Sequence, residues 1–152
     1  MDIKFGTDGW RAIVGGEYTF ENVSYCAQGT ALLMKDQGLD DRGLVVGYDT
    51  RFSSEDFAAA VAEVASGNGI KTYLAACSAP TPVISYNIVA REAGGGAVIT
   101  ASHNASQWNG YKYKPHYGGS ASPEIVSELE AHIGRIKSLC EVKRLNLKDA
   151  IR

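Results

Sequence analysis

Two kinds of apolar pattern alternate along this chain, and that alternation constrains the fold more than any other feature. Val23, Cys26, Ala27, Thr30, Ala31 and Met34 recur three and four residues apart, as one face of an α-helix requires. Thr19 stands where an N-cap is expected, and Gly38 where the helix should stop. Leu44–Tyr48 is a continuous apolar run and reads as a buried strand. Ser53 or Ser54 then caps a second helix, with Phe57, Val61 and Val64 inward and Gly67 near its end. Residues 70–74 read as a second strand. Ala79-Pro80-Thr81-Pro82 reads as a rigid turn from which Pro82 opens a third helix, and Gly94-Gly95-Gly96 lies past its end. Residues 97–101 read as a strand, Asn109-Gly110 as a turn and residues 111–114 as a further strand. Ser122-Pro123-Glu124 opens a last helix with Ile125, Leu129, Ile133 and Ile136 on one side.

Strands separated by helices of this length imply βαβ units covered on both faces. The expected fold is α/β, in three layers (α/β/α), around a mainly parallel mixed sheet. Residues 1–138 form the expected domain. From Leu139 the chain becomes charged and loses its periodicity, so residues 139–152 read as a linker toward a second domain.

Several function classes are disfavoured at the outset. With 15 Lys and Arg against 17 Asp and Glu, the formal net charge is −2, which gives no basic footprint for nucleic acid. No apolar run approaches the ~20 residues of a membrane helix, and the opening MDIKFGTDGWR is not a signal peptide. Cys26, Cys77 and Cys140 are an odd number at unpatterned spacing, so they read as buried, reduced thiols in a cytoplasmic protein.

The densest chemistry lies at the carboxyl end of the strand over 97–101, where open α/β sheets gather their ligands. There Thr100-Ala101-Ser102-His103-Asn104 is followed closely by Asn109-Gly110-Tyr111-Lys112, crowding hydroxyl, imidazole, amide and ammonium groups into one region. Ser102 and His103 are not a hydrolase dyad, because adjacent side chains point to opposite sides, and no G-x-S-x-G elbow surrounds the serine. Gly94-Gly95-Gly96 precedes a strand, whereas a nucleotide-cradling loop follows one. Two further segments carry arginines: residues 5–11, ending in Arg11, and residues 47–54, with Asp49 and Arg51 where a strand turns into a helix. Each reads either as a surface ion pair with helix caps or as a phosphate site, since a guanidinium fork matches phosphate oxygens.

Taken together and in order, FGTDGWR, GYDTRFSS and TASHN…NGYK resemble the first domain of the α-D-phosphohexomutases: phosphoglucomutase, phosphomannomutase and phosphoglucosamine mutase. The resemblance implies that Ser102 carries a phosphoryl group, donates it to a hexose phosphate to give a hexose bisphosphate, and takes back the other phosphate. It implies a magnesium ion that binds a phosphoserine oxygen and aspartates of a second domain. Arg11, His103 and Lys112 match polar groups beside the serine, and Asn104, Asn109, Asp49 and Arg51 are the expected loop and substrate support. The segment before Lys112 is closer to phosphoglucomutases and phosphomannomutases than to phosphoglucosamine mutases. Ala105 stands where the resembled pattern usually has proline, which leaves the loop freer. No D-G-D-x-D metal motif occurs, so these 152 residues are expected to fold alone yet lack mutase activity. The alternative is a non-catalytic sugar-phosphate-binding module on the same fold.

Overall fold

The computed structural model describes residues 3–6 and 8–150. Its elements are β1 (Trp10–Ile13), α1 (Phe20–Asp36), a 3-10 turn (Asp40–Arg42), β2 (Leu44–Tyr48), α2 (Ser54–Gly67), β3 (Thr72–Leu74), α3 (Thr81–Ala90), β4 (Gly95–Ile99), β5 (Trp108–Pro115), α4 (Pro123–Leu139) and the short α5 (Leu147–Ala150). The sheet order is β1-β5-β4-β2-β3. The ladders β2–β3 and β2–β4 are parallel, while β4–β5 and β5–β1 are antiparallel. Four strands therefore run one way and β5 runs against them, which is the mixed α/β sheet expected.

The two faces of the sheet carry separate cores. Leu44 and Val46 of β2, Ala97 and Ile99 of β4, and Tyr111 and Tyr113 of β5 pack against α1, α2 and α4. Val45 and Val98 face the other way, onto Ile84 and Ile88 of α3. Helix caps follow the sequence where a side chain can reach. The Thr19 and Ser122 hydroxyls accept from the amides of Asn22 and Ile125. Past α4, residues 140–150 run back across α1 and α2. Lys143 N donates to Gln28 Oε1, and Leu145 N donates to the Glu63 carbonyl.

Four local expectations are corrected. Gly95 and Gly96 lie inside β4 and do not end a helix, because α3 packs so closely that a Cβ on Gly96 would run into Ile88 and the Val45 carbonyl. A Cβ on Gly47 would likewise collide with Ile84. Asn109-Gly110 is not a turn but the start of β5, paired with Ala12 and Arg11 of β1, a strand with no apolar signature of its own. Neither serine caps α2: Ser53 sits in the left-handed region at φ 56° with no side-chain cap bond, and the Ser54 hydroxyl is used in a buried network described below. Of the cysteines only Cys26 is buried; Cys77 and Cys140 are exposed.

Close approach under α3 gives a paired expectation. Gly96→Ala should destabilise the domain by about 1–3 kcal/mol through overpacking. Gly134→Ala, at an exposed α4 position with nothing within 4 Å of the added carbon, should instead stabilise it by about 0.5–1 kcal/mol. Urea denaturation of both variants measures the contrast; a stabilising Gly96→Ala would show that α3 is not seated this tightly.

Candidate functional site

Because β2 and β4 are parallel neighbours, the segments leaving their carboxyl ends lie side by side. One is residues 49–53, leading into α2; the other is residues 100–107, leading into β5. Ser102 lies in the second, exposed, with φ 55°, and its amide donates to the Thr100 hydroxyl at 2.9 Å. A non-glycine residue in this backbone region is held there at some cost by its surroundings.

Arg51 does much of that holding. Its Nη2 donates to the carbonyls of Ser102 (2.7 Å) and Asn104 (2.6 Å). Its Nη1 donates to the carbonyls of Ala105 (2.9 Å) and Trp108 (3.0 Å). Its Nε lies 3.3 Å from Asp49 Oδ2. Asp49 Oδ1 in turn accepts from the Arg51 amide and, at 2.8 Å, from the Ser54 hydroxyl, which accepts from Asn109 Nδ2 at 2.9 Å. Asp49, Arg51, Ser54 and Asn109 thus join the start of α2, the serine loop and the start of β5. Arg51 has the five N–H donors of a guanidinium and all are engaged, so it supports the loop and has no donor left for a phosphate.

Arg11 reaches the same loop from β1, donating from Nη1 to Asn104 Oδ1 at 2.6 Å. His103 is exposed, with no partner among the described residues. Lys112 is on β5, buried, and its ammonium lies 2.6 Å from Asp8 Oδ2; Lys114 is 3.5 Å from Asp8 Oδ1. The geometry therefore gathers Ser102, Asn104, Arg11, Arg51, Asp49 and Asn109, while Lys112 is tied to a carboxylate that the sequence reading did not single out. Beside Ser102 opens a hollow of about 670 Å³ lined also by Asp49, Thr50, Asn104, Pro80 and Thr81. The last two begin α3, whose positive end favours an anion there. Sequence reasoning took Pro80-Thr81 only as a turn; the signal was its place after the carboxyl end of β3.

Partial burial pushes the Asp8 carboxyl up, but the hydrogen bond and charge of Lys112, then of Lys114, outweigh it and hold the group below its ordinary value. A lowered folded-state value means stability that is full above the unfolded aspartate value of about 3.9 and is lost as pH falls through the folded one. The difference in denaturation midpoint between the parent and Asp8→Asn should therefore be constant near neutrality and shrink below about pH 4. A difference independent of pH down to acid unfolding would show that the ion pairs contribute nothing.

Comparison with known proteins identifies the domain. The family described as "Phosphoglucomutase/phosphomannomutase, alpha/beta/alpha domain I" matches residues 2–139. A phosphoglucomutase of Staphylococcus saprophyticus is 30% identical over 145 residues, covering 93% of this chain and 26% of the relative. A phosphoglucosamine mutase of Alkaliphilus metalliredigens is 32% identical, covering 100% of this chain and 35% of the relative. A crystal structure from Thermus thermophilus, whose name places it with the phosphomannomutases, superposes with a TM-score of 0.82 at 36% identity, over 88% of this chain and 30% of that one. The chain spans about a quarter to a third of the length of these relatives. It belongs to the phosphoglucomutase/phosphomannomutase family, as the α/β/α domain I.

Proposed function

We propose that this chain is the serine-bearing first domain of a phosphohexomutase that interconverts hexose 1-phosphate and 6-phosphate, of the phosphoglucomutase or phosphomannomutase type. The observation that carries the reading is Ser102 itself. It is an exposed hydroxyl beyond the carboxyl end of β4, in a loop fixed by Arg51 and Arg11, beside an open hollow at the positive end of α3. In this reading the phosphoryl group on Ser102 passes to the free hydroxyl of a hexose monophosphate. The serine P–O bond breaks, a sugar P–O bond forms, and the sugar's proton ends on the serine oxygen. The bisphosphate reorients, and its other phosphate returns to Ser102. Residues 139–152 lead, in the same reading, toward a second domain.

Each neighbouring group has a separate part. Arg11 has guanidinium donors beyond the one on Asn104 with no partner among the described residues, so it has donors to offer phosphoryl oxygens at this loop. Lys112 supplies a second positive charge once Asp8 is displaced or shared. His103 is exposed at the loop surface beside Ser102 in the chain. Among the described residues no group of three or more His, Cys, Asp or Glu is placed to hold a metal ion. A phosphate oxygen on Ser102 would be this domain's ligand to magnesium, together with carboxylates of a further domain, and the ion would supply charge neutralisation at the transferring group. Among the described residues no helix is long and apolar enough to cross a membrane. With three free thiols, we place the protein in the cytoplasm.

The test uses the full-length protein with hexose 1-phosphate, a trace of the bisphosphate and magnesium. Ser102→Ala should abolish turnover and remove phosphate from the intact mass while leaving the melting temperature unchanged. Near-normal turnover in that variant would sink the assignment, and a parent protein that never carries phosphate would point to a binding module instead. Arg11→Ala and Lys112→Ala should each lower kcat/KM by about tenfold or more, or ~1.4 kcal/mol of transition-state stabilisation. The 152-residue chain alone should fold and show no turnover.

A further inference from the structure

The four carbonyls on Arg51 have a consequence on the other side of the loop. Across each trans peptide of this loop, a carbonyl and the N–H of the following residue point in opposite directions. The carbonyls of Ser102, Asn104 and Ala105 all point at the guanidinium. The N–H groups of His103, Ala105 and Ser106 must then point away from it. None of the three has a hydrogen-bond partner among the described residues. Other amides of the loop do: Ser102 N goes to Thr100, Asn104 N to the Ala101 carbonyl and Trp108 N to the Ala105 carbonyl. The loop is thus sorted, with acceptors gathered on the guanidinium and three unpaired amide donors turned away from it within the four residues after Ser102. A cluster of backbone N–H groups of one sense suits an anion.

We propose that Arg51 is a positioning residue, and that by collecting these carbonyls it aims the amides of His103, Ala105 and Ser106 at the phosphoryl group carried on Ser102. Alanine at 105 matters, because proline there has no N–H to give. Lysine cannot replace Arg51, since three donors on one ammonium do not span four carbonyls and a carboxylate. The proposal rests on the reading of Ser102 as the phosphoryl carrier, and its test is built to fail separately from that reading.

The 152-residue chain is made with phosphoserine encoded at position 102, so that no mutase activity is needed, and amide hydrogen exchange is followed by NMR beside the unphosphorylated chain. Phosphorylation should slow exchange at His103, Ala105 and Ser106 by tenfold or more and move their proton resonances downfield. In Arg51→Lys that protection should be lost while the core amides of β2 and β4 stay protected. Ala105→Gly, which keeps the N–H, should behave as the parent. Should Arg51→Lys fail to fold, the comparison of phosphorylated and unphosphorylated parent decides alone. Exchange at the three amides unchanged by phosphorylation would overturn the proposal. So would protection that appears only with added inorganic phosphate, or protection that survives in a folded Arg51→Lys. Failure of the mutase reading would show instead as absent phosphate on Ser102 in the full-length protein.

Discussion

Strand β5 is buried from Asn109 to Pro115, yet it carries Lys112 and Lys114, and much of the molecule's N-terminal half follows from that conflict. Two ammonium groups whose side chains are 7% and 9% exposed need a counter-charge within reach. Asp8 supplies it, which requires the first residues to fold back along β5. Once they do, Trp10–Ile13 pairs with Trp108–Tyr111, Trp10 stacks on Tyr18, and Tyr18 donates to the Gly110 carbonyl. Arg11 is thereby carried to the serine loop. The arginine that reaches Asn104 from β1 is placed by an ion pair on the neighbouring strand.

A second constraint works at the opposite side of the loop. The sheet gives Ser102 its location, at the end of β4 beside the end of β2, but a loop of eight residues between antiparallel strands has many conformations open to it. One guanidinium removes that freedom by engaging four carbonyls and Asp49. The buried relay from Asp49 through Ser54 to Asn109 ties the guanidinium's own carboxylate to the next strand. The left-handed backbone at Ser102 is held by neighbours on both sides, and Ala105 in the loop needs no proline to be fixed.

The sequence by itself determined helices α1 to α4, the strands with apolar runs and the α/β class, because a period of 3.6 or a continuous buried run is local information, whereas α5 lies in the stretch read as a linker. Thr19, Ser122 and Pro82 marked helix starts for the same reason. The order of the FGTDGWR, GYDTRFSS and TASHN…NGYK segments also carried the family. What only the tertiary structure decided was whatever depends on a partner distant in sequence. Trp10–Ile13 became a strand because β5 lay open beside it, and Asn109-Gly110 joined β5 because β1 and β4 flank it. Gly95 and Gly96 became strand residues because α3 approaches closely. The division of labour among the arginines was settled in the same way. Nothing local distinguishes Arg51, with every donor engaged by carbonyls and Asp49, from Arg11, with donors to spare. Hydrogen bonds across 51 to 57 residues made that distinction, and side-chain pairing at such separations leaves no periodic trace in a sequence.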